Sequence, residues 1–284
     1  MSIRTALLVA TIFSMLLGFS VKAETTLETI KSSGVIKLGY RENSPPFSFA
    51  AEDGSPQGYT IDLCRYVATD IARQLSLKTL DTQWLPVNAN SRFSSLQSGD
   101  VDIVCGNTSQ TLTRRSEFDF SVTTFTDGAG LLYLPGMQPK STQDLSNQRF
   151  VVVSGTTTEA ILDEMIKASR LNAKLLKVED HDAALNALKQ KNATAYAADR
   201  TVLIATALKD GSGHAFELSS QQFSYEPYAL MMRRDPDFRL AVDRALSRLY
   251  KSGEIVRILG RWFSDIGGLN ETALQTFQLF ALPE

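Results

Sequence analysis

The sequence predicts an α/β protein of two lobes joined by two crossover segments, and three observations carry that expectation. From Val35 onward, short β-branched or apolar runs alternate with helical patterns, as parallel βαβ construction requires. The alternation starts afresh after the Pro- and Gly-bearing segment Leu134 to Pro139. The material beyond Gly211 is too short for a third domain, so it is expected to return and complete the first lobe.

In the first unit, Val35 to Gly39 reads as a strand. Ile61, Cys64, Val67, Ala68, Ile71 and Leu75 recur at three- and four-residue spacing, which makes Ile61 to Leu75 an amphipathic helix with Cys64 on its buried stripe. Leu80 to Val87 follows as a strand, Ser91 to Gln97 as a short helix ended by Gly99, and Val101, Ile103 and Cys105 alternate along a third strand that stops at Gly106. The second unit repeats the scheme. Phe150 to Val153, Ala173 to Val178 and Thr194 to Ala198 read as strands, and Thr157 to Leu171 and His181 to Lys189 as helices. An extended run, Tyr228 to Arg233, then precedes helical patterns over Phe238 to Lys251 and Ile255 to Phe263. These elements place residues 24–133 with 226–264 in one lobe and 134–225 in the other, and leave 265–284 as a tail packed on a lobe. Crossings are expected near Leu131 to Pro135 and near Ser224 to Pro227, with a cleft between the lobes.

Composition narrows the function classes. Arg4 followed by the apolar run Ala6 to Val21 and by Val21-Lys22-Ala23 reads as a cleaved export signal over residues 1–23. The apolar run is shorter than the roughly 20 residues of a spanning helix. No Cys follows the cleavage point for lipid attachment, so a freely diffusing periplasmic protein is expected. Without Arg4 and Lys22, 27 basic residues face 31 acidic ones, a formal charge of −4. That balance offers no basic face for nucleic acid. In an oxidising compartment Cys64 and Cys105 are candidates for a disulfide; two buried free thiols are the alternative.

The segment Ser154-Gly155-Thr156-Thr157-Thr158-Glu159 lies between a strand and a helix, and Thr156 and Glu159 have capping-box spacing. A helix start of this kind presents unpaired N–H groups to a carboxylate, although an ordinary capped helix explains the segment alone equally well. It lacks the lysine of a P-loop. Neither a nucleophile–base arrangement nor a set of metal ligands is evident, the second histidine being His214 in a Gly/Ser-rich loop. No cofactor and no metal are expected.

The chain resembles the family 3 periplasmic solute-binding proteins, the polar amino-acid receptors of ABC importers, over nearly all of Thr26 to Phe263. The likeness is greatest to the glutamate/aspartate-binding branch. It is carried by Gly39-Tyr40-Arg41-Glu42-Asn43-Ser44-Pro45-Pro46-Phe47-Ser48, by Arg92 with Leu96-Gln97-Ser98-Gly99, by Asp102-Ile103-Val104-Cys105-Gly106-Asn107-Thr108, by Ser154-Gly155-Thr156-Thr157 and by Asp180-His181. The resemblance implies the two-lobed periplasmic binding protein fold. It also implies a monomer, an amino-acid ligand, and an inner-membrane ABC permease as partner.

By position it implies that Arg114 grips the ligand α-carboxylate, assisted by Ser109 and Thr157, and that Asp199 takes the α-ammonium. Arg41, Arg92 and His181 then surround a side-chain carboxylate, and Arg115 is a solvated surface charge. The chain departs from the branch at Ala89 and Asn107, where Ser is common; Asn107 can still offer a carbonyl to the ammonium. The resemblance implies no catalysis. The alternatives are a general polar amino-acid or glutamine receptor, a ligand-sensing subunit, and the periplasmic cyclohexadienyl dehydratase that shares the family fold.

Overall fold

The computed structural model describes residues 24–139, 143–211, 215–266 and 277–283. The expected export signal and His214 lie outside the described residues. In chain order the first stretch runs α1 (Thr26–Ser33), β1 (Val35–Tyr40), β2 (Asn43–Ser44), β3 (Ser48–Ala50), β4 (Pro56–Gln57), α2 (Tyr59–Gln74), β5 (Asp81–Pro86), α3 (Ser91–Ser98), β6 (Ile103–Cys105), α4 (Leu112–Glu117), β7 (Asp119–Phe120) and β8 (Phe125–Asp127). Next come β9 (Ala129–Tyr133), β10 (Arg149–Val153), α5 (Thr157–Ala168), β11 (Lys174–Val178), α6 (His181–Lys189), β12 (Ala195–Asp199), α7 (Arg200–Lys209) and β13 (Glu217–Leu218). The chain then returns through β14 (Glu226–Tyr228), β15 (Met231–Met232), α8 (Pro236–Ser252) and α9 (Glu254–Phe263).

Each lobe is built on one five-stranded sheet, ordered β5-β1-β6-β15-β7 in the first and β11-β10-β12-β9-β13 in the second. In both, the leading strands are parallel and a later strand joins antiparallel. The first sheet is covered on both faces. Ile103 and Cys105 join the core beneath α2, α8 and α9, whereas Val104 packs with Leu96, Phe118 and Met231 on the other side, so the strand is buried at every residue. The expected helix stripe is the buried face of α2, with Ile61, Cys64, Val67, Ala68 and Ile71 inside. Phe277 packs against Tyr250 with ring centroids 5.1 Å apart, which puts the described part of the tail on the first lobe's core.

The lobes are joined through β8 and β14, which pair antiparallel with Glu226 opposite Asp127 and Tyr228 opposite Phe125. Leu131 to Tyr133, where a crossing was expected, instead lies inside β9, bonded to β12 with Leu131 opposite Ala197. The reason is that Leu134 to Pro139 marks the loop after β9 rather than the passage between lobes. The return crossing does contain β14. Both crossing strands are rooted in the first lobe by aromatic contacts: Phe125 stacks on Phe263 at 4.9 Å, and Phe47 meets Tyr228 edge-on at 5.1 Å. These contacts hold β8 and β14 on the first lobe.

A bond between Cys64 and Cys105 ties α2 to the end of β6, with Cα atoms 6.2 Å apart and a sequence separation of 41. It replaces the free-thiol alternative. Closing a loop of this length contributes about 4 kcal/mol in the chain-entropy account. Mass spectrometry of the non-reduced protein should show one cross-linked peptide pair, and Cys64→Ser with Cys105→Ser should lose most of that stability in urea melts. Two alkylatable thiols in the native protein would contradict the bond.

Candidate ligand-binding site

In open α/β sheets, ligands sit beyond the carboxyl ends of the strands, where the strand order reverses. Both lobes present that end to the cleft. Arg41 directly follows β1, Asn107 and Ser109 follow β6, Thr157 follows β10, His181 follows β11, and Asp199 is the last residue of β12. Arg92 and Arg114 come from α3 and α4. One cavity between the lobes is lined by all eight of these residues, together with Thr156 and Thr158. The lobes also touch across it: Arg92 Nη2 and Arg114 Nη2 donate to Gly155 O at 3.2 and 3.3 Å.

The first lobe supplies the positive wall. Thr111 caps α4 by accepting from Arg114 N at 3.1 Å, and Arg114 Nη1 donates to Ser109 O at 2.9 Å, which aims the guanidinium into the cavity. Phe93 lies beneath two of these cations, with its ring centroid 4.7 Å from the Arg92 Cζ and 5.4 Å from that of Arg114. Arg92 is 3% exposed and Arg41 is 4% exposed. Burial, then Arg114 and Arg41, hold the Arg92 pKa well below its usual value; burial lowers Arg41 to about 10, although Asp180 opposes the shift. Both remain cationic near neutrality. Arg92 Nε is buried without a hydrogen-bond partner, so the wall is short of anions. Arg115 is exposed and donates to Gln110 Oε1 at 3.3 Å.

Opposite lies the second lobe. Thr156 caps α5 by accepting from Glu159 N at 3.1 Å, but the Glu159 carboxylate takes Gly155 N at 2.7 Å, so the capping box is displaced by one residue. Gly155 lets the lobes approach each other closely. Its φ is +76°, and a Cβ there would stand 2.1 Å from Asn90 Oδ1. Thr157 begins α5, where its N–H has no partner within the helix, and its hydroxyl donates to Glu226 Oε2 at 2.7 Å. Asp199 accepts from Thr158 at 3.2 Å and from the Tyr228 hydroxyl. Burial, with Asp127 and Glu226 nearby, pushes its pKa well above the carboxylate range. The carbonyl oxygen of Asn107 is buried and unpartnered.

His181 opens α6 behind the cap formed by Asp180, which accepts from Ala183 N at 2.8 Å. Its Nδ1 lies 2.5 Å from the Tyr196 hydroxyl, and burial keeps that phenol protonated. With Tyr196 as donor, the ring's own proton sits on Nε2, which leaves one N–H to give.

Residues 36–265 match the sequence pattern of the bacterial extracellular solute-binding proteins, family 3. The chain belongs to that family. An L-glutamate/L-aspartate-binding protein of Pseudomonas aeruginosa is 32% identical to this family 3 protein over 269 residues, 93% of this chain and 89% of the relative. The glutamate/aspartate import solute-binding protein of Escherichia coli is 29% identical, covering 86% and 81%. Among solved structures, an ancestral amino acid-binding protein described as a precursor of cyclohexadienyl dehydratase aligns with a TM-score of 0.73 at 26% identity, over 84% of this chain and all of that one.

The histidine gives this solute-binding protein a testable acid limb. Burial and the charge of Arg41 lower the His181 pKa from 6.5 to about 3. The unfolded ring binds a proton below 6.5 while the folded ring stays neutral, so stability is lost as pH falls through that window. Between pH 7 and pH 5 the loss from this residue should be about 2 kcal/mol. Urea melts of wild type and His181→Asn at both pH values check it; identical pH dependence in the two proteins would contradict a neutral buried ring.

Proposed function

We propose that this chain is the periplasmic receptor of an ABC importer for an acidic amino acid, glutamate or aspartate. The observation that carries the reading is the charge count of the cavity. Arg41, Arg92 and Arg114 line it, against Asp199 as the one lining carboxylate among the described residues. A neutral amino acid offers one carboxylate and leaves buried guanidiniums unpaired. A dicarboxylic amino acid offers two, with one ammonium for Asp199, and so matches the donors better.

In this reading Arg114, Ser109 and the N–H of Thr157 take the α-carboxylate. Arg41, Arg92 and His181 Nε2 take the side-chain carboxylate, and Asp199 with the Asn107 carbonyl takes the ammonium. Ala89 adds no polar group, and the arginines carry the acidic selectivity. Hinge closure about β8 and β14 desolvates these pairs, which strengthens them, and it presents a closed form to the permease. The names of the Pseudomonas and Escherichia relatives agree with this assignment. Among the described residues no helix is long and apolar enough to cross a membrane.

The enzymatic alternative would have to use Asp199 as its acid, because a dehydratase needs a proton donor near the departing hydroxyl. Incubation with prephenate or arogenate should return both unchanged, and protein-dependent loss of either would favour that alternative.

Calorimetry separates the two carboxylate assignments. Arg92→Leu should weaken glutamate and aspartate by about 2–5 kcal/mol and affect glutamine much less. Arg114→Leu should abolish binding of acidic and amide ligands alike. Equal losses across glutamate, aspartate, glutamine and asparagine for Arg92→Leu would overturn its side-chain role.

A further inference from the structure

The crossing strands bring two carboxylates to the back of the ammonium position. Asp127 ends β8 and Glu226 begins β14, and the two are register partners. Glu226 is 1% exposed, accepting from Ser224 Oγ at 2.7 Å through Oε1 and from Thr157 Oγ1 at 2.7 Å through Oε2. Asp127 accepts from Gly128 N at 2.8 Å and from Thr201 N at 3.1 Å. The donors in these four bonds are hydroxyls and backbone N–H groups rather than cations, although the Arg114 charge acts on Glu226 from across the cavity, and both carboxylates act electrostatically on Asp199. The charged and titratable groups facing Asp199 are these two, Tyr228 on β14, Tyr196 on its own strand, and Arg92 and Arg114 from the opposite wall.

We propose that Glu226 and Asp127 are positioning residues of the ammonium subsite, which act through Asp199 and Thr157 to make the cavity demand a cationic group on its ligand. The inference rests on Asp199 as the ammonium acceptor. Three carboxylates packed at one hinge repel one another, and burial removes the water that would screen them. Without a cation Asp199 holds a proton, in keeping with its raised pKa. An ammonium supplies the missing charge, and Asp199 ionises as the ligand enters. A dicarboxylate without an amino group cannot do this, and its anions meet the cluster uncompensated. Glu226 also accepts the hydrogen bond that the Thr157 hydroxyl donates, which leaves the Thr157 N–H as that residue's donor toward the cavity.

Two consequences follow from charge alone. Binding of an amino acid releases a proton, so affinity rises with pH until Asp199 is ionised in the free protein, and then levels off. Removing a neighbouring carboxylate moves that plateau to lower pH and weakens discrimination against ligands that lack an ammonium. Glu226→Gln is the informative variant, because its partners are hydroxyls that can reverse and accept from an amide. The partners of Asp127 are backbone N–H groups that cannot reverse, so Asp127→Asn is the second choice.

The experiment is calorimetry with L-glutamate and with glutarate, in buffers of different ionisation heat, between about pH 6 and pH 9. Wild type should release close to one proton per glutamate at the acid end and none per glutarate. Glu226→Gln should release fewer, and should narrow the glutamate-to-glutarate affinity ratio by about tenfold. Wild type that binds glutamate without releasing a proton overturns the inference and leaves the receptor reading intact. A Glu226→Gln variant that keeps the wild-type proton count and affinity ratio overturns it in the same way. Wild type that binds no amino acid overturns the receptor reading itself.

Discussion

The structure depends on opposed charges held out of water across one cleft. Arg41 and Arg92 are almost wholly buried on one wall, and Asp199 is buried on the other. Burying unpaired ions is costly unless a partner of the right sign arrives. The fold meets part of that cost internally. Gly155 O accepts from Arg92 and Arg114, Phe93 lies under the same two cations, and Tyr228 and Thr158 bond Asp199. What remains unsatisfied, such as Arg92 Nε and the Asn107 carbonyl, belongs to residues that line the cavity.

Keeping these groups dry requires the lobes to meet closely, and particular residues permit it. At Gly155 a side chain would strike Asn90, so the absence of a Cβ sets how near the walls come. The aromatic cluster of Phe47, Tyr59, Phe125, Tyr228 and Phe263 holds the crossing strands on the first lobe, and the bond between Cys64 and Cys105 holds α2 against β6. The positive wall is therefore attached to a stiff body. The second lobe carries Asp199, Thr157 and His181 on the facing wall.

Much of this was legible in the sequence, for identifiable reasons. Period-2 and period-3.6 patterns located α2, α5, α6, α8 and the strands β1, β5, β6, β10, β11, β12 and β15, whereas β7 and β13 went unread and β9 lies where a crossing was expected. The eight candidate residues were legible only through motifs in a recognisable order; no single Arg or His announces a ligand. The small sheet of β2, β3 and β4 was not seen, since strands of two or three residues carry no period. The helix α7 was missed as well, and its weakly segregated residues explain why. Glu226 and Asp127 were invisible for a deeper reason. They are brought together by strand register across the length of the second lobe, and nothing local to either residue encodes that. Thr111 and Phe93, which aim the arginines, carry a cap and a ring face that make sense only once Arg114 is in place.

The direct test of the central claim is a crystal structure of the mature protein grown with L-glutamate. One molecule is expected between the lobes, its α-carboxylate on Arg114 and the Thr157 N–H, its ammonium on Asp199, and its side-chain carboxylate among Arg41, Arg92 and His181. Glutamate elsewhere, or lying in the cleft with its ammonium turned away from Asp199, would contradict it.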